Sequence, residues 1–229
     1  MCNVNNNGKL FFDLCMRAKK VKCSNMLKSL DQVDLEYVCN KENALMWACC
    51  NHMTDVCMGI MSQSTTNCEI LNVNSRGNTI LIIALHTNQS IICMEILNRL
   101  YSLPDKIIYN YLSHVNNEGF TSLALACKMN MDNVCMKMLQ NPHHCALNKT
   151  DKNGYTALMY ACDNRLENVC MKILETPNDC GLECRNYYKF TALTFAKYNC
   201  IPTVRREILK HLNNSTPNSL NTHDIFTKN

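Results

Sequence analysis

Glycine is scarce in this chain of 229 residues: there are six, beside five prolines and one tryptophan. With so few, no phosphate-cradling glycine loop can be written, and neither G-x-S-x-G nor a paired-histidine metal motif occurs. His86, His114 and His211 stand alone in the sequence, and no repeat unit holds a nucleophile beside a base. No enzyme, cofactor or small-molecule substrate is expected. Long apolar runs are missing too. The longest, residues 80–85, is far shorter than the ~20 residues that span a bilayer. The opening MCNVNNNGKL lacks the apolar core of a signal peptide. The expectation is a cytoplasmic, intracellular chain that does not engage a membrane. A large net charge is also missing, since the balance is only +4. Its basic residues gather at the two ends, at Lys9, Arg17, Lys19, Lys20, Lys22 and Lys28, then at Arg185, Lys189, Lys197, Arg205, Arg206 and Lys210. They read as solvated capping faces. Nucleic acid is not expected, because no motif for it accompanies them.

What the chain does have is repetition. GYTALMYACDNRLENVCMKIL (154–174) stands 35 residues after GFTSLALACKMNMDNVCMKML (119–139). GNTILIIALHTNQSIICMEIL (77–97) and NALMWACCNHMTDVCMGIM (43–61) precede them, and a worn copy follows, KFTALTFAKYNCIPTVRREIL (189–209). The shared leucine falls at Leu45, Leu81, Leu123, Leu158 and Leu193, in steps of 36, 42, 35 and 35. A first unit, LFFDLCMRAKKVKCSNML, fits in register through Phe11, Cys15, Cys23 and Leu27. A period in the thirties means stacked units that share one elongated core. In the copy at 151–174, DKNG is turn chemistry and Thr156 can cap a helix. Val169, Cys170, Ile173 and Leu174 then line one face of a second helix. Each unit is therefore turn, helix, turn, helix.

These residues resemble the ankyrin repeat, whose pattern runs roughly D-x-x-G-x-T-P-L-H-x-A-A with a second helix ending V-V-x-x-L-L. Asp151, Gly154, Thr156, Leu158, Ala161, Val169, Cys170, Ile173 and Leu174 match it without gaps. Asn116, Gly119, Thr121, Leu123, Ala126 and Val134 match in the unit before, and Asn74, Gly77, Thr79, Leu81, Ala84 and Ile92 in the one before that. The motif proline and histidine are absent, and the first, second and sixth units lack the turn glycine. The resemblance implies an all-α solenoid of helix-turn-helix units with short hairpin fingers. Its domain covers 1–212, in units of about 8–35, 36–70, 71–112, 113–147, 148–182 and 183–212. A polar tail, 213–229, follows and reads as disordered or loosely packed.

The resemblance also implies a noncatalytic scaffold, monomeric, that binds an unidentified partner protein on its concave face. By register that face carries Arg76, Asn78, Glu118, Phe120, Lys128, Asn153, Tyr155, Asp163, Tyr188, Phe190 and Tyr198. Phe120, Tyr155 and Phe190 share one position. Either they form an exposed binding row or each ring packs on its own turn. Trp47, Ile83, Leu125, Tyr160 and Phe195 form a second row, read as core. The style of the repeats is similar to ankyrin proteins of large DNA viruses, from which a host-directed role would follow.

Seventeen cysteines occur, several in register: Cys15, Cys49, Cys127 and Cys162 in the first helices, and Cys23, Cys57, Cys93, Cys135 and Cys170 in the second. Buried free cysteine is a small hydrophobe, so both rows read as core without disulfides. The alternative is a zinc- or redox-responsive protein in which His143, His144, Cys145, Cys180 and Cys184 meet between neighbouring loops. Repetition argues against it, because Pro142, Cys145 and Leu147 recur 35 residues on as Pro177, Cys180 and Leu182, and Cys68 sits in the same register. No metal is expected. The step of 42 marks an insertion within 98–114. Pro104 and Asp105 could start an extra helix with Ile107, Ile108, Tyr111 and Leu112 inward, or the second helix could be longer with a bulge. The frequent asparagines read as the mark of an AT-rich genome.

Overall fold

A computed structural model describes residues 6–29, 33–64, 67–176 and 180–215. Cys68 is placed only by its backbone, and Pro177 and tail residues 216–229 lie outside the described residues. Helices come in pairs: α1 (Asn6–Met16) with α2 (Lys20–Lys28), and α3 (Ala44–Cys50) with α4 (Thr54–Gln63). After a short α5 (Cys68–Leu71) come α6 (Ile80–His86) with α7 (Ser90–Leu100), then an extra α8 (Asp105–Leu112). The pairs α9 (Ser122–Lys128) with α10 (Asp132–Met138), α11 (Ala157–Asp163) with α12 (Glu167–Leu174), and α13 (Ala192–Tyr198) with α14 (Pro202–Ser215) complete the stack. A one-turn 3-10 helix, Pro142–His144, precedes α11. First helices pack on first helices and second on second along the whole chain. The fold is an all-α repeat solenoid.

From α3 onward, each first helix starts where a side chain accepts the backbone N–H three residues on. Asn43, Thr79, Thr121, Thr156 and Thr191 do this for Met46, Ile82, Ala124, Met159 and Thr194. Each ends in a left-handed residue that turns the chain into the second helix, such as His52, Asn88, Asn130, Arg165 or Cys200. Strand is confined to fingers. β1 (Val38–Cys39) pairs antiparallel with β2 (Glu42–Asn43), and an isolated bridge joins Val73 to Thr79.

Asparagine has a physical use here, which composition alone did not suggest. The Asn51 amide donates to the Cys15 carbonyl at 2.8 Å, Asn164 to Cys127 at 2.7 Å, and Asn199 to Cys162 at 3.3 Å. Each one adds a bond between units to a carbonyl at the end of the preceding first helix, which also accepts a backbone N–H from its own turn. Gln89 does the same for Cys49 at 2.8 Å.

Of the two readings of the insertion, the additional helix is the one found: α8 is separate from α7 and its chain enters at Pro104. Ile108, Tyr111 and Leu112 are buried, and Ile107 is half-buried. The core itself is one continuous cluster from Phe11 to Ile208.

Candidate binding face

The fingers are built by one repeated device. Asn74 Oδ1 accepts the backbone N–H groups of Arg76 and Asn78, and Asn116 Oδ1 those of Glu118 and Phe120. Asp151 Oδ1 accepts from Asn153 and Tyr155, and Asn186 Oδ1 from Phe190. Neighbouring fingers then interlock through the backbone: Asn117 N–H donates to Arg76 O at 3.1 Å, Lys152 to Glu118 at 3.1 Å, and Tyr187 to Asn153 at 2.8 Å. The glycines are where the fingers touch. A Cβ on Gly119 would lie 2.7 Å from Asp151 Cα, and one on Gly154 2.8 Å from Asn186 Cα. The last finger has Lys189 at the equivalent left-handed position, with φ of 66°. Among the described residues no finger follows it.

Along this side Arg76, Glu118, Lys128, Asn153, Asp163, Tyr188, Phe190 and Tyr198 are exposed, while Asn78 and Tyr155 are half-buried. The row of three rings is not uniform, and Phe120 departs from an exposed binding row. It is 4% exposed, because Tyr160 of the next unit lies 6.1 Å from its ring and His86 of the previous unit 6.4 Å away. Lys128 Nζ stands 4.5 Å over the Phe120 ring and so closes it from solvent. Tyr155 stacks on Tyr160 at 4.8 Å and meets Phe195 of the next unit at 5.5 Å. Phe190 has no ring from a following unit among the described residues and is 45% exposed. Beside it Tyr188 lies at 6.3 Å, 66% exposed, and Tyr187 at 5.7 Å from Tyr188, 80% exposed. Tyr198 is 84% exposed.

Tyr160 and His86 are among the shifted groups on this side. The Tyr160 hydroxyl donates to Asp151 Oδ2 at 2.6 Å, and burial together with that carboxylate pushes its pKa well up. Burial lowers the His86 pKa, with Lys128 adding to the effect and Glu118 opposing it. The shift favours the neutral form of the His86 ring.

The sequence reading missed one part of this side. Ile83, Leu125, Tyr160 and Phe195 are buried as expected, but Trp47 is only half-buried. It lines a cavity of about 430 Å³ with Glu42, Cys50, Arg76, His86 and Glu118. The signal was available. The one tryptophan of the chain occupies a row that otherwise holds smaller side chains, and its bulk overflows the core.

The loop residues of the zinc alternative are placed as follows. Cys145 is buried and its thiol donates back to Met138 O at 3.5 Å. His143 is exposed, Cys180 buried and Cys184 half-buried. Among the described residues no three His, Cys, Asp or Glu side chains come together in a metal-holding group. The row cysteines pack as thiol pairs, with Sγ–Sγ distances of 3.6 Å for Cys15 and Cys23 and 3.7 Å for both Cys127–Cys135 and Cys162–Cys170.

A family model of three ankyrin repeats matches residues 95–181 and again 123–221, together more than half of the chain. The chain belongs to the ankyrin repeat family, a fold that generally binds proteins rather than catalysing reactions. No curated protein matches it. Among solved structures it is similar to a chain of the Bd0816 predatory endopeptidase from Bdellovibrio bacteriovorus in complex with immunity protein Bd3460. The TM-score is 0.55 at 17% identity, covering 87% of this chain and 96% of that one. At that identity the likeness concerns the fold. Among the described residues no helix is long and apolar enough to cross a membrane.

Proposed function

We propose that this protein is a noncatalytic scaffold that holds a partner protein on the concave side of its solenoid, along the fingers and the ends of the first helices. One observation supports this reading above the others: the fingers are locked to one another by backbone hydrogen bonds, yet present exposed charged and aromatic side chains from Arg76 to Tyr198. A surface that is already rigid loses little conformational entropy on binding. Aromatic and arginine side chains are the residues that most often carry interface energy. The mechanism is occupancy, in which the partner is held or masked without a chemical step. The solved relative is part of a protein complex by its description, which accords with this reading.

The test is affinity purification from the native cell with wild type beside an Arg76→Glu, Lys128→Glu double variant, read by mass spectrometry. Both positions are exposed, so circular dichroism should be unchanged. A protein retained by wild type and lost by the variant is the expected result. The same proteins on both, or none on either, would remove the concave face from consideration.

A further inference from the structure

We propose that the last finger of the stack is the docking point for an acidic peptide segment carrying a bulky apolar anchor. This rests on the scaffold reading above and names the chemistry of the partner. Each inner ring of the finger row is covered by the following unit, Phe120 by Tyr160 and Tyr155 by Phe195. Phe190 repeats the position and is left open, with Tyr187, Tyr188 and Tyr198 exposed around it. Grouped exposed apolar surface of this kind marks binding sites.

A further ankyrin unit is disfavoured as the occupant, above all one from a second copy. In the inner units a Cβ on the finger glycine would lie 2.7–2.8 Å from the next finger, and here Lys189 holds that position, so a further unit would pack less closely. A second copy offering its other end would also bring Lys9, Arg17, Lys19, Lys20 and Lys22 against a basic surface.

The charge of the site selects the partner. Lys152, Arg185, Lys189 and Lys197 are exposed there, against the carboxylates of Asp163 and Glu183. Asp163 is partly engaged, since its Oδ1 accepts from the Asn199 amide at 3.4 Å. Cations flanking open aromatic rings suit carboxylates flanking an apolar side chain. The rings would take the anchor and the lysines would bind the acids. Exposed charges are screened over a Debye length of about 10 Å at 0.1 M salt, so binding should weaken as salt rises.

The test is a displayed library of random 12-residue peptides selected on the full-length protein. Binders are then measured by fluorescence polarisation on wild type, on Lys189→Glu with Lys197→Glu, and on Tyr188→Ser with Tyr198→Ser. All four positions are exposed, so the variants should fold. The expected result is enrichment of Asp and Glu around an aromatic or large aliphatic residue, with at least about tenfold weaker binding to either double variant. Binders without acidic enrichment, binders indifferent to both variants, no binders, or self-association of the wild type in sedimentation would each overturn it. If this fails while the cell-extract capture through Arg76 and Lys128 succeeds, the scaffold reading stands and the acidic-segment site does not.

Discussion

Cys93 and Cys145 lie buried, and burial pushes each thiol from an ordinary 9.0 up to about 12. In the unfolded chain the same thiols lose their protons near the ordinary value, while the folded chain keeps them. Folded protein therefore holds more protons between the two values. Stability is fully present below about pH 9 and is lost as pH rises from there toward 12. Each thiol costs up to about 1.4 kcal/mol per pH unit across that window. Melting temperature should fall as pH is raised from about 8 to about 10. Cys93→Val, which removes one such group and keeps the volume, should fall less steeply. Equal slopes for the two proteins would contradict the burial account. The burial of Cys93 was legible in the sequence, because register placed it on the inward face of a second helix, whereas Cys145 read only as a loop residue. The burial of Phe120 was not legible, because its cover, Tyr160, comes forty residues later and from another unit. Identical register gives Phe120 and Phe190 opposite exposures, and only the end of the stack distinguishes them.

Among the elements, α8 shows how an insertion can become structure. The Tyr111 hydroxyl accepts the Leu81 N–H at 3.3 Å, one of the free donors in the first turn of α6. Just before α8, the Tyr101 hydroxyl donates to the carbonyls of Lys137 and Met138 at 3.1 and 3.2 Å, at the end of α10. The insertion thus ties down the ends of helices in its own unit and in the next. Its start was readable from Pro104 and Asp105, and its buried side from Ile108, Tyr111 and Leu112. Its hydrogen-bond partners lay beyond periodicity, since they belong to helices that only stacking brings near. In urea unfolding, Tyr111→Phe should cost about 1 kcal/mol for the lost acceptor. Tyr111→Ala should cost about 3–5 kcal/mol, since the ring is also buried. An alanine variant as stable as wild type would make α8 a loop merely appended to the solenoid.

For the whole molecule, stability should be a sum of unit terms and neighbour terms, because the helix pairs pack chiefly on the pairs beside them. The asparagine bridges are neighbour terms that can be removed singly. Asn164 sits at the end of α11 and donates to the carbonyls of Cys127 and Lys128 at 2.7 and 3.1 Å, both at the end of α9. Asn164→Ala should cost about 1 kcal/mol, the net value of such a bond. Asn164→Asp should cost more, since a carboxylate donates nothing and would face two carbonyl oxygens. Loss of this contact weakens coupling between everything before α11 and everything after it. The urea transition should therefore broaden, with a smaller m-value, as the two blocks unfold at different denaturant concentrations. Thr156→Ala is the control: it removes a helix cap of similar worth, about 1 kcal/mol, inside one unit. It should shift the midpoint and leave the slope alone. If Asn164→Asp also shifts the midpoint at constant slope, the six helix pairs unfold as one cooperative block and the neighbour-term description is wrong for this chain.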